Sequence, residues 1–129
     1  VGCSSSKDIQ DFNIDKIALD EAKKITSEQG YTLKSETLTE SDILIGDSEV
    51  FTLIKEASIK GGYLKEDLDS MTEDRKVVGY ELAEKSKEDE PIMLCMVIDK
   101  GKVIGAYLDY SGYSPGITSI DFKYNFKQL

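Results

Sequence analysis

The dominant spacing of the apolar residues changes near residue 75 of this chain of 129 residues, and that change restricts the fold more than any other feature. Before residue 75, apolar side chains recur every three or four positions, which is typical of amphipathic helices. From Arg75 onward they alternate with polar residues, which is typical of strands. Helices followed by a meander of strands indicate an α+β fold. We expect two N-terminal helices packed on one face of a four- or five-stranded, mainly antiparallel sheet.

The first helix has a clear beginning and a clear end in the sequence. Asn13 can cap its N-terminus, and Gly30 can end it in a left-handed conformation. Its apolar residues fall on one face: Ile14, Ile17, Ala18, Ala22 and Ile25. The partial alternation from Tyr31 to Thr39 then predicts a first strand.

A second helix is predicted between a cap at Asp47 and a stop at Gly61-Gly62. Its apolar positions repeat at helical spacing: Val50, Leu53, Ile54 and Ala57. The stretch from Tyr63 to Asp74 is acidic and lacks a period, so we expect an irregular surface connection there.

Four strands are predicted in the second half. In the first of them, Val78, Tyr80 and Leu82 share one face. The run Ile92–Ile98 is apolar on both faces, which predicts a central strand. The residues 99–102 form a hairpin turn with a glycine where positive φ is needed, leading into the strand 103–110. The last strand is expected over 117–122.

The segment Val1-Gly2-Cys3-Ser4-Ser5-Ser6 matches the end of a bacterial lipoprotein signal peptide. In that interpretation Cys3 becomes the first mature residue and carries diacylglycerol on its sulfur. Residues 1–12 are then a lipoprotein N-terminus and flexible tether, and residues 13–129 a single α+β domain. The alternative is an ordinary buried or disulfide-bonded cysteine near a terminus. No apolar run approaches the length of a membrane span, so attachment would be through Cys3 alone.

The second cysteine, Cys95, lies in the apolar run 92–98. An exported protein could join Cys3 and Cys95 in a disulfide. A thiol in a buried strand, however, behaves as a small hydrophobic group and is inert. If Cys3 is lipidated, Cys95 is unpaired.

Charge and composition argue against several classes of function. The chain has 25 acidic and 16 basic residues, for a net charge of −9, which argues against binding to nucleic acid or to anionic lipid. The absence of histidine removes imidazole-based catalysis and the commonest metal ligand. We therefore expect no catalytic residues, no metal and no cofactor. The acidic stretches 66–74 and 88–90 are interpreted as solvated loops, with weak calcium binding the alternative for the first. An enzyme that uses paired carboxylates alone stays open as a further alternative.

The segment Tyr107–Gly116 has three tyrosines, two glycines and a proline in ten residues. Tyrosine offers a large amphipathic contact area, and glycine and proline can hold a loop in a fixed shape. The segment is therefore a candidate recognition loop, with candidate binding residues Tyr107, Tyr110, Tyr113 and Pro115. The alternative is a wide turn whose tyrosines pack over the edge of the sheet.

The stretch Lys100–Tyr110, continuing into Gly112–Ile117, resembles the C-terminal part of lipoprotein-type domains from clostridia-like Gram-positive bacteria. The resemblance implies a small α+β domain outside the cytoplasm and favours lipidation of Cys3. Those domains have no assigned activity, so it implies no catalytic residue and no ligand.

Together these features predict a non-enzymatic, lipid-anchored binding domain on the outer face of a Gram-positive cytoplasmic membrane. Its expected partners are the membrane, through the lipid on Cys3, and an envelope protein, peptide or glycan. The alternative is an inhibitor-like or regulatory module that inserts the loop 111–116 into an envelope or secreted enzyme.

Overall fold

The computed structural model describes residues 13–41, 49–72, 74–86, 89–110 and 116–121. These parts of the chain form a five-stranded sheet in the order β1-β2-β3-β4-β5, and every neighbouring pair is antiparallel. The elements are α1 (Ile14–Gln29), β1 (Thr39–Ser41), α2 (Glu49–Lys60), α3 (Lys65–Asp69), β2 (Arg75–Lys85), β3 (Pro91–Asp99), β4 (Lys102–Tyr110) and β5 (Ile117–Thr118). The predicted α+β class and the predicted antiparallel sheet are confirmed.

The α1 helix begins and ends at the predicted residues. The side chain of Asn13 accepts a hydrogen bond from the backbone N–H of Lys16 at 3.1 Å, which satisfies one of the free amides of the first turn. Gly30 adopts a φ of 80°, and its N–H donates to the carbonyl of Thr26 at 2.8 Å. Local chemistry thus defines both ends of this helix.

The predicted strand over 31–39 is mostly wrong, because only Thr39–Ser41 forms a strand in this region. Leu33 makes a single bridge to β2, and pairing then stops. The hydroxyl of Ser35 accepts a hydrogen bond from the N–H of Thr37 at 3.3 Å. A side chain that binds the local backbone in this way offers it an alternative to the sheet ladder.

The strand β3 is central, as predicted, and it pairs with β2 on one side and β4 on the other. Its turn into β4 has positive φ at both Lys100 (51°) and Gly101 (78°), the conformation of a tight type I′ hairpin. In β4 the register shifts between the pairs Val97–Gly105 and Ile98–Val103, which leaves Ile104 as an extra residue in a bulge.

The prediction that both helices pack on one face of the sheet is wrong. Buried residues of α1 belong to one core cluster with Leu94 and Met96 of β3. Buried residues of α2 belong to a second cluster with Cys95 and Val97 of the same strand. Because successive side chains of a strand point to opposite faces, the two helices lie on opposite sides of the sheet. The physical reason is that β3 is apolar on both faces, and one helical layer can cover only one of them.

The helix α2 approaches β4 closely at Gly105. A Cβ atom at this position would lie 2.7 Å from Oγ of Ser58 and 3.1 Å from Cδ2 of Leu68. The Ser58 hydroxyl also donates to the carbonyl of Ala106 at 3.2 Å. Glycine therefore sets the distance between this face of the sheet and the helices α2 and α3.

Two further predictions need correction. The segment 63–74 is not wholly irregular, because α3 forms within it and buries Leu68. The last strand is shorter than predicted, covering Ile117–Thr118, and a turn follows at Ile120. The predicted cap Asp47 and the predicted strand end at residue 122 lie outside the described residues.

Candidate functional site

The predicted tyrosine contact surface is not formed by Tyr107 and Tyr110. Tyr107 is 0% exposed and packs in the α2 cluster, whereas Tyr110 is 1% exposed and packs in the α1 cluster. Both belong to β4, whose two faces are covered by helices, so neither ring can contact a partner. Tyr113 and Pro115, like the rest of the loop 111–115, lie outside the described residues.

Tyr107 on β4 pairs in register with Cys95 on β3, and both side chains belong to the core cluster on the α2 face of the sheet. Burial, together with the nearby charge of Asp109, raises the pKa of the Cys95 thiol to about 12. The cysteine is unpaired and buried, so its thiol is protonated and unreactive at neutral pH. The prediction of a buried strand thiol is confirmed.

The Tyr107 hydroxyl is buried beside the Cys95 thiol, a weak hydrogen-bonding group, and within the described ranges it makes no hydrogen bond of good geometry. Burial raises its pKa well above the ordinary value, so it stays protonated. The neighbouring Asp109 is half-buried, and burial raises the pKa of its carboxyl as well. Cys95 and Tyr107 belong to the core cluster between the sheet and α2, so these two groups are not an accessible site, whereas Asp109 keeps part of its surface exposed.

Two carboxylates of the acidic stretch around α3, Asp67 and Asp69, form ion pairs. Asp69 contacts both Lys55 of α2 and Lys65, and these two ammonium groups hold the pKa of its carboxyl below the ordinary value. Asp67 pairs with Lys102 of β4 at 3.2 Å. In the part of the chain that the structure describes, no group of three acidic or cysteine side chains could hold a metal ion.

The structure contains an open groove that the sequence did not indicate, which we call the α1 groove. It has a volume of about 730 Å³ and lies between the first turns of α1 and the segment that leads to β1, over Tyr80 of β2. Its lining residues are Asn13, Asp15, Lys16, Leu19, Asp20, Glu36, Thr37, Leu38 and Tyr80. No local pattern could have revealed it, because its two walls are brought together only by the packing of α1 on the sheet.

The base of the α1 groove is apolar and its rim is charged. Leu19 and Leu38 are half-buried, and the ring of Tyr80 is buried beneath them. The Tyr80 hydroxyl donates a long hydrogen bond of 3.5 Å to the carbonyl of Asp15. Burial raises the pKa of this hydroxyl, and the carboxylates of Asp15 and Glu36 raise it further. The two carboxylates belong to opposite walls of the groove, and both are close enough to the Tyr80 hydroxyl to affect its pKa.

Cys3, the predicted lipidation site, lies outside the described residues. Within the described ranges, no helix has both the length and the apolar character needed to cross a membrane.

Comparison with family models, curated proteins and solved structures finds no match to this chain. The resemblance of residues 100–117 to clostridial lipoprotein domains thus stays a prediction.

Proposed function

We propose that this protein is a lipid-anchored, non-enzymatic binding domain on the outer face of a Gram-positive cytoplasmic membrane. Cys3 carries the lipid, and the α1 groove is the contact surface for an envelope partner. The observation that carries the proposal is the groove itself, a concave surface with an apolar base and a polar rim. That combination is typical of binding sites, where apolar area supplies affinity and a few polar groups supply orientation.

The position of the groove relative to the proposed anchor supports this assignment. The first lining residue, Asn13, follows Cys3 by only ten positions in the sequence. Covalent geometry limits ten residues to about 36 Å, whatever their conformation. A partner held in the groove would therefore be bound close to the membrane surface, which suits a protein that acts within the envelope.

The anchor is tested by expressing the full-length precursor in a Gram-positive host and measuring the intact mass of the membrane-bound product. We expect a mass increment of a diacylglycerol group, lost in Cys3→Ser together with membrane attachment. An unmodified chain recovered from the cytosol would remove both the localisation and the membrane partner.

The contact surface is tested by NMR, with ¹⁵N-labelled protein titrated with a detergent-solubilised envelope fraction. We expect chemical-shift changes to concentrate in residues 13–20 and 36–38. Leu38→Ser, which places a hydroxyl at the base of the groove, should reduce them. Val50→Ser is the matched control, because Val50 is an exposed apolar residue on α2, across the sheet. Changes confined to α2 or to the β3–β4 turn would show that the contact surface lies elsewhere.

A further inference from the structure

The rim of the α1 groove carries more negative than positive charge. Its lining residues include three carboxylates, Asp15, Asp20 and Glu36, and a single ammonium group, Lys16. The carboxylates come from both walls, since the first two belong to α1 and the third to the segment before β1. Two walls of the same sign facing each other favour a cation between them.

The charges already present do not neutralise this rim. Lys16 pairs with Asp20 at 2.9 Å, and Lys23 pairs with Glu36 at 3.4 Å. All four side chains are more than half exposed, and such pairs contribute little and exchange partners readily. Asp15 makes no ion pair with any residue that the structure describes.

The apolar base of the groove places a second requirement on the ligand. Leu19 and Leu38 are half-buried beside the ring of Tyr80, so an apolar group placed there would be removed from water. Burial of an apolar group at this surface would favour binding, whereas a fully hydrated cation such as a metal ion would gain nothing from it. The groove therefore suits a ligand that combines an aliphatic side chain with flanking positive charges.

We infer that the α1 groove docks a basic peptide segment of a partner protein, with an aliphatic side chain on Leu19, Leu38 and Tyr80 and flanking lysine or arginine residues against Asp15 and Glu36. This inference rests on the proposed function, because it assigns a ligand class to the same contact surface. The charge of the chain disfavours other occupants. A second copy carries a net charge of −9, and nucleic acids and anionic lipid headgroups are also negative, so each would be repelled by the rim.

The experiment titrates the ¹⁵N-labelled protein with two synthetic peptides that differ only in the sign of their charge, Ac-KLKLK-NH₂ and Ac-ELELE-NH₂. We expect the basic peptide to shift amide signals of residues 13–20 and 36–38, with an affinity that falls as salt is added. The acidic peptide should cause no shifts there. Equal binding of both peptides would show that the groove does not select a positively charged ligand, and would overturn the inference.

Two double variants with the same change in net charge separate a local effect from a general one. Asp15→Asn with Glu36→Gln removes the two facing carboxylates of the groove. Since exposed ion pairs contribute modestly, we expect the affinity for the basic peptide to fall about threefold or more. Glu56→Gln with Glu66→Gln removes two exposed carboxylates on α2 and α3, and the affinity should stay the same. An equal loss in both variants would show attraction to the overall charge of the chain and overturn the inference. The amide spectra show directly whether each variant is folded.

The inference and the proposed function fail in different ways. If either peptide shifts the groove signals but the groove variant binds as tightly as the wild type, the groove remains a contact surface and its selectivity for basic peptides is wrong. If neither the peptides nor the solubilised envelope fraction shift the groove signals, the assignment of the groove as a contact surface is wrong too.

Discussion

Gly105→Ala is the most direct test of how α2 packs against the sheet. The new methyl group would lie 2.7 Å from Oγ and 3.2 Å from Cβ of Ser58, and 3.1 Å from Leu68. Favourable contacts between carbon atoms begin near 3.5 Å, so the helix must move by several tenths of an ångström or the serine must leave its hydrogen bond. Overpacking of this kind typically costs about 1–3 kcal/mol. The better strand propensity of alanine offsets about 0.5–1 kcal/mol of that. The central values of these two ranges give an expected net loss of about 1 kcal/mol in the free energy of unfolding.

The assay is urea unfolding of the wild type, Gly105→Ala, Ser58→Ala and the double variant. Ser58→Ala alone should cost about 1 kcal/mol, because the buried carbonyl of Ala106 loses its donor. In the double variant the 2.7 Å contact with Oγ of Ser58 no longer exists. The double variant should therefore lose less free energy of unfolding than the sum of the two single variants, by at least about 0.5 kcal/mol.

Gly79→Ala provides the matched control for this cycle. The three atoms nearest to a Cβ atom at Gly79 belong to Cys95, Leu94 and Met93 of β3, and none of them belongs to α2. Its combination with Ser58→Ala should therefore be additive within about 0.5 kcal/mol. Additivity in the Gly105 pair as well, or a Gly105→Ala variant as stable as the wild type, would refute the proposed packing of α2 on this face.

Three further predictions concern single side chains. Asn13→Ala should lower the free energy of unfolding by about 1 kcal/mol by removing the α1 cap, and hydrogen exchange should show the loss first in residues 14–17. Tyr107→Phe should raise the free energy of unfolding by up to about 1 kcal/mol, because it removes a buried hydroxyl whose polar neighbour is only the weakly hydrogen-bonding thiol of Cys95. A loss of that size in denaturant unfolding would show that the hydroxyl is satisfied in the folded state. Asp109→Asn should also stabilise the fold at neutral pH. Burial raises the pKa of this carboxyl in the folded state, so the ionised carboxylate destabilises the fold at pH values above that pKa. This destabilisation disappears as the pH falls through the raised pKa and the carboxyl becomes protonated. The gain from Asp109→Asn should shrink over the same range in unfolding measured at several pH values, and a gain independent of pH would contradict this cause.

The features predicted correctly from the sequence are those determined by neighbouring residues. The cap at Asn13 and the positive φ at Gly30 and Gly101 are properties of a few adjacent positions. The central place of β3 follows from its composition, because a strand that is apolar on both sides must be covered on both sides. That same observation implied helices on two faces, and the expectation of a single helical face did not take it into account.

The features that the sequence did not reveal depend on tertiary packing. Tyr107 and Tyr110 occur in a segment with the composition of a recognition loop, and the predicted strand 103–110 already contained both of them. Their burial was not predicted, because it depends on the helical layers that cover the two faces of β4. The α1 groove joins residues 13–20 to residues 36–38 and to Tyr80, and no spacing rule connects those three segments. Such a site is defined only when the helix has been placed on the sheet.

The burial of β3 on both faces has a consequence for the motions of the domain. Its even-numbered side chains anchor the α1 layer and its odd-numbered side chains anchor the α2 layer, so this strand cannot separate from the sheet unless both layers come apart. The amide hydrogens of residues 92–98 should therefore exchange with solvent only through global unfolding, whereas those of the short edge strand β1 exchange through local opening. The rim of the α1 groove, which includes the segment before β1, can thus adjust to a ligand while the centre of the sheet stays fixed.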